Sequence, residues 1–181
     1  MRITRDNTMA VIIDVQERIL PVMDQADQTA ARIVTLCKGL TLLDLPLTVT
    51  EQYPQGLGFT LPSVRDAAGE KAALLVKASF SCCDDDPCMA HLEGLNRKVV
   101  ILAGIETHVC VLQTALDLLE RGFIPVVPVD AVSSRTPRDR ETALLRLQQE
   151  GARLTTTESI LFELTRSSAA PEFKDISRLI R

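Results

Sequence analysis

The chain has 181 residues, 46% of them hydrophobic, which is room for one substantial core and little room for two. Its 20 lysines and arginines stand against 24 aspartates and glutamates, a formal net charge of −4, and the two signs are dispersed, so no basic stripe points to a nucleic acid or an anionic membrane. The longest apolar runs, such as VVILAGI, stop well short of the roughly 20 residues that span a bilayer, and no small-residue cleavage site follows the first of them convincingly. One cytoplasmic domain over 1–181 is therefore expected.

Residues 9–15 are almost continuously apolar and read as a strand covered on both faces. Residues 26–44 follow as a helix, with Ile33, Leu36, Cys37, Leu40 and Leu43 at the helical period. A short strand is predicted at 47–51, where Pro46 at its start interrupts no ladder. The segment QYPQGLGFTLPS at 52–63 holds two prolines and two glycines and reads as a surface loop beside a ligand cleft. A third strand is predicted at 72–76, after a polar segment with room for helical turns. The next helix starts near Pro87 with Asp86 as its cap.

Residues 98–103 read as a fourth strand, 109–121 as a helix and 123–129 as a fifth strand, with Gly122 where a positive φ ends a helix. Thr136 and Pro137 open a helix over 137–150, Gly151 closes it, and a sixth strand follows at 152–155. FELTR and PEFKDISRLIR read as terminal helices that pack back on the domain or serve self-association. Strands alternating with amphipathic helices define a three-layer α/β/α fold with a mostly parallel sheet.

Three chemically capable residues stand at the ends of apolar strands: Asp14 after MAVII, Lys77 after AALLV, and Cys110 at the start of the helix that follows VVILAGI. The first turn of a helix has N–H groups without intrahelical partners, and with the macrodipole these favour a thiolate and can receive an oxyanion. A carboxylate, an ammonium and a thiol at one edge of a parallel sheet point to a covalent hydrolase.

The other polar candidates carry less. Five cysteines form no persuasive disulfide framework, and Cys37 sits at a core position of its helix. Cys82, Cys83, Cys88 and His91 have a C-C-x4-C-x2-H spacing, which is not a structural-zinc signature. His108 lies two residues before Cys110 and so shares no helix face with it. Neither a dinucleotide fingerprint nor a Walker loop is present, and a site without metal or cofactor is expected.

AVIIDVQ at 10–16, LLVKASFSC at 74–82 and AGIETHVCVLQTA at 103–115 together resemble the isochorismatase-like cysteine hydrolase family. TEQYPQGLG at 50–58 further resembles its isochorismatase domain-containing subgroup. The resemblance implies a six-stranded parallel sheet of order 3-2-1-4-5-6 and assembly into homo-oligomers. It implies a catalytic triad of Asp14, Lys77 and Cys110, a cis peptide between Ile105 and Glu106, and an oxyanion hole from the N–H groups of Glu106 and Cys110. Thr107 would support that turn through its hydroxyl. Gln16, Tyr53 and Phe80 are expected to border the substrate pocket. Glu51-Gln52-Tyr53 stands where metal-dependent nicotinamidases of the broad family carry Asp-x-His, which argues against that chemistry. The implied reaction is hydrolysis of an amide or related acyl bond of a small molecule through a cysteine thioester. The alternatives are metal-independent cleavage of another small-molecule bond, or a binding or scaffold protein with a catalytically weak pocket.

Overall fold

The computed structural model describes residues 2–181. Its centre is β1 (Thr8–Ile13), every residue of which is buried. This is why the sequence there is apolar without alternation: a central parallel strand has helices on both faces. Met9, Val11 and Ile13 point into one core and Ala10 and Ile12 into the other. Each fully buried isoleucine contributes roughly 1.5–3 kcal/mol relative to exposure, so the two cores depend on the same few strands.

Around β1 the strands β2 (Leu47–Gln52), β3 (Ala73–Lys77), β4 (Val99–Ile105), β5 (Ile124–Pro128) and β7 (Arg153–Thr155) are parallel, in the order β3-β2-β1-β4-β5-β7. That path matches the order implied by the family resemblance. Among the described residues the sheet has seven strands rather than six, because the two-residue β6 (Val132–Ser133) pairs with the end of β4. Two residues are too few for a periodic pattern to be legible in the sequence.

One helical layer contains α1 (Ala26–Leu42), α3 (Pro62–Ala68), α7 (Thr157–Thr165) and α8 (Phe173–Ile180), which bury Ile33, Leu36, Val64, Leu161 and Ile176 in the first core. The other contains α4 (Asp86–Gly94), α5 (Leu112–Glu120) and α6 (Pro137–Glu150), which bury Leu92, Leu118 and Leu147 in the second. Thr136 caps α6 as expected, accepting from the Asp139 N–H at 3.1 Å. The cap of α4 is Asp85, whose carboxylate accepts from the Cys88 N–H at 3.1 Å, and Asp86 is the first helical residue. The expectation was wrong by one residue because three consecutive aspartates offer the same cap chemistry.

The segment 52–63 is not a plain loop. It contains the short helix α2 (Pro54–Leu57) and the start of α3, both with proline in the first turn. It is also bonded along its length to the residues that follow β1. Glu17 N–H donates to the Phe59 carbonyl and Arg18 N–H to that of Leu57, each at 3.0 Å, and Leu61 N–H donates to Val15 O at 3.0 Å.

The register fixes what meets at the C-terminal edge of the sheet. Ile13 lies opposite Thr50 on β2 and Gly104 on β4, while Gln52 lies opposite Lys77 on β3. The strand order reverses about β1, so its C-terminal end opens on the crevice where ligands bind in such sheets. Gly104 makes the closest approach there, with φ +120° and the position of an added Cβ inside the Ile13 backbone. Gly104→Ala is expected to lower unfolding stability by about 3 kcal/mol through strain at that φ and displacement of β1 from β4. Urea denaturation checks this, and a loss below about 1 kcal/mol would contradict the assigned close approach.

Candidate active site

Asp14 leaves β1 in the left-handed region, at φ 53°, which aspartate tolerates better than most residues. Its carboxylate is buried and doubly engaged: Thr50 Oγ1 donates to Oδ1 at 2.7 Å and Lys77 Nζ to Oδ2 at 2.7 Å. The Lys77 ammonium spends its other protons on the carbonyls of Ser79 and Phe80, at 3.0 and 3.2 Å. Burial alone draws the Lys77 ammonium down, but Asp14 and the nearby Cys110 outweigh it, so Lys77 stays above its ordinary range as a fixed cation.

The helical run after β4 begins at Thr107 rather than at residue 109, as a π turn over Thr107–Val111 that passes into α5. Cys110 therefore sits within a π turn. The Glu106 carbonyl accepts from the N–H groups of Val109 and Val111, at 3.1 and 3.2 Å, and passes over that of Cys110 between them. The Ile105–Glu106 peptide is cis, as the resemblance implied. Thr107 is buried, but its hydroxyl has no hydrogen-bond partner, so it does not support the turn in the expected way.

The thiol of Cys110 lies in the field of both charged residues. Its Sγ is 3.3 Å from the Gln52 amide oxygen, and the Asp14 carboxylate lies near enough to act on its charge. Burial first, and then Asp14, push this thiol up to about 12 against the opposing pull of Lys77. The expectation of a resting thiolate is thereby corrected. A helix start and a cation favour the anion, but here the cation is already spent on Asp14 and the sulfur is removed from water. Burial also raises Cys37 to about 12 and Cys82 to about 11, so acidity does not set Cys110 apart from them.

Gln16, expected at the pocket, is fully buried. Its Nε2 donates to the carbonyls of Gln52 at 3.0 Å and Gly58 at 2.6 Å, and its Oε1 accepts from the Gln52 N–H at 2.8 Å. Its head group thus binds the rim segment. Glu51 adds a further bond, accepting from the Thr60 N–H at 2.7 Å. Tyr53 and Phe80 are exposed by 62% and 52%, and Phe59 joins them at 65%. The Tyr53 ring occupies the space a side chain at Gly56 would need, which accounts for the glycine. Gln52, as the thiol's neighbour, and Arg135, which pairs with Glu106, were not singled out from the sequence. His91 is bonded to Thr48 at 3.0 Å and His108 to Ser134 at 2.9 Å. Among the described residues, no three histidine, cysteine, aspartate or glutamate side chains converge as metal ligands.

A parallel three-layer sheet with a carboxylate, an ammonium and a thiol gathered at its C-terminal edge defines a hydrolase-type α/β site. Residues 8–159 match the isochorismatase domain, and the chain belongs to the isochorismatase family. It is 39% identical over 182 residues to isochorismatase domain-containing protein 2A of Mus musculus, covering 99% of this chain and 85% of that protein. A structure named MAR1 ribonuclease from Caenorhabditis elegans superposes with a TM-score of 0.94 at 39% identity, covering 99% and 92% of the two chains. The YcaC gene product of Escherichia coli, described as an octameric hydrolase of unknown specificity, superposes at 0.90, covering 99% and 95%. At 22% identity that last likeness concerns the fold alone. Among the described residues, no helix is long and apolar enough to cross a membrane.

The charge arrangement makes the thiol's reactivity testable. In Asp14→Asn, Lys77 keeps its two carbonyl partners and its charge, while the carboxylate that raises Cys110 is gone. Alkylation of Cys110 by iodoacetamide at pH 8 should then speed up about tenfold, the effect of one unit in pKa, and Lys77→Met should slow it. Site-resolved peptide mass spectrometry reads both rates, with buried Cys37 as the internal reference. An unchanged rate in Asp14→Asn contradicts the assigned electrostatics.

Proposed function

We propose that the chain hydrolyses an amide or related acyl bond of a small molecule through a Cys110 thioester. The observation that carries this reading is the Asp14 carboxylate held at 2.7 Å from Lys77 with the neutral Cys110 thiol beside it. Because the resting thiol is protonated, attack and deprotonation are coupled: Asp14 takes the proton as sulfur bonds to the acyl carbon. The carbonyl π electrons move to oxygen, which the Glu106 and Cys110 N–H groups receive. As the tetrahedral adduct collapses, the C–N bond breaks and Asp14 passes its proton to the leaving amine. Asp14 then takes a proton from water, whose oxygen attacks the thioester. As this second adduct collapses, the C–S bond breaks, the carboxylic acid is released and Asp14 returns its proton to the cysteine sulfur. Lys77 holds Asp14 in place and offsets the negative charge that moves between carboxylate and sulfur. The route calls for no metal or cofactor.

The proposal places the exposed Tyr53, Phe59 and Phe80 at the mouth of the site, where they would suit a neutral, partly apolar substrate. We further propose a cytoplasmic homo-oligomer, by analogy with the family. A second reading comes from the relative named as a ribonuclease, which raises RNA as a substrate. The net charge of −4 and a cation already committed to Asp14 favour the acyl reading.

Intact-mass analysis during turnover of a panel of aryl amides and esters tests the proposal. The wild-type chain should carry an acyl adduct on Cys110, and Cys110→Ala should lose it with at least about a thousandfold of the turnover. Full turnover by Cys110→Ala would sink the covalent route. Cleavage of a fluorogenic RNA by the wild-type chain, surviving in Cys110→Ala, would favour the ribonuclease reading instead.

A further inference from the structure

Glu106 serves the turn around Cys110 in two ways that conflict. Its N–H is one of the two proposed oxyanion donors, yet the same residue carries a carboxylate whose side chain is only 7% exposed. An unneutralised carboxylate at that place opposes the negative charge that develops on a substrate oxygen. Arg135 meets it with a two-pronged contact: Nε donates to Oε1 at 2.8 Å and Nη2 to Oε2 at 3.1 Å. Such a fork fixes the plane of the carboxylate as well as balancing its charge.

Arg135 reaches in from outside the core, its side chain 63% exposed, on the segment that follows β6. That segment is fastened to the same turn at several other points. Gly104 N–H donates to Ala131 O at 3.0 Å, Val132 and Ser133 pair with Gly104 and Ile105, and Ser134 Oγ shares a 2.9 Å hydrogen bond with His108 Nδ1. The backbone of 131–134 therefore keeps its place without the ion pair, and what Arg135 adds is directed at the Glu106 side chain.

We infer that Arg135 is a positioning residue for acyl transfer: by engaging the Glu106 carboxylate it holds the Glu106 N–H on the reaction centre and cancels a charge that would repel the oxyanion. The inference rests on the thioester reading given above. Two probes of Cys110 separate this role from a merely structural one. p-Nitrophenyl acetate acylates the thiol through a tetrahedral oxyanion, whereas iodoacetamide alkylates it by displacing iodide, with no oxyanion formed. Arg135→Gln should slow acylation by about 10- to 100-fold, in the range of a weakened oxyanion donor, and leave alkylation within about twofold. Arg135→Lys, which keeps the charge but not the fork, should fall between. Arg135→Gln combined with Glu106→Gln removes the unpaired carboxylate and should regain about tenfold in acylation over Arg135→Gln alone. Equal losses in both reactions, no loss in either, or a double variant no faster than the single one would overturn the inference. If the wild-type chain forms no acyl adduct on Cys110, the thioester reading falls and this inference with it, which is visible before any variant is made.

Discussion

The 2.7 Å contact between Lys77 and Asp14 is a fully buried ion pair, and the arrangement of the sheet edge depends on it. Two charges taken out of water are costly, and only good geometry with further hydrogen bonds makes the burial tolerable. Those bonds are present: Thr50 satisfies the second carboxylate oxygen, and the carbonyls of Ser79 and Phe80 satisfy the ammonium. The pair therefore ties the ends of β1, β2 and β3 together with the strand-to-helix segment that contains Phe80. Its components come from strands whose register is set elsewhere, by the apolar side chains of the two cores. Packing thus sets the chemistry, because a slip of one residue in β1 or β3 would turn one charge to the opposite face.

With the ammonium committed to Asp14, its pull on the sulfur is outweighed by burial and by the carboxylate. The Cys110 thiol is left in a dry place beside a carboxylate, and its acidity falls accordingly. Helix position, often invoked to explain reactive cysteines, is here outweighed by desolvation. The Cys110 thiol and the Asp14 carboxylate are neighbours before any ligand arrives, which is the arrangement the proposed proton transfer requires.

The fold was legible in the sequence to the extent that periodicity reveals it. A continuous apolar run marked β1 as a central strand and another marked β4 as a strand, and Pro137 with Thr136 marked the start of α6. Asp14, Lys77 and Cys110 were visible because each interrupts or follows such a run. What escaped was whatever depends on partners distant in the chain. Gln16 looks like a pocket residue by proximity to Asp14, but its amide is consumed by backbone groups 36 and 42 residues away. Glu106 and Arg135 are 29 residues apart and nothing local pairs them. The one available signal was an arginine just ahead of the Thr136-Pro137 helix start, in a segment returning to the sheet's C-terminal edge. The thiol's lowered acidity was equally hidden, since burial is a property of the whole molecule.

The fastening of residues 52–61 to the stretch after β1 has a consequence for how a ligand is admitted. Gln16 and Glu51 bond the segment through their side chains and Glu17 and Arg18 through their backbone, and the segment carries the exposed Tyr53 and Phe59. A segment bonded in this way has already met the entropic cost of ordering before a ligand binds. At the proposed site its side chains would then select among ligands by shape rather than by being drawn shut over them. Changes of specificity would be made by exchanging those side chains, while the frame that holds the segment stays as it is.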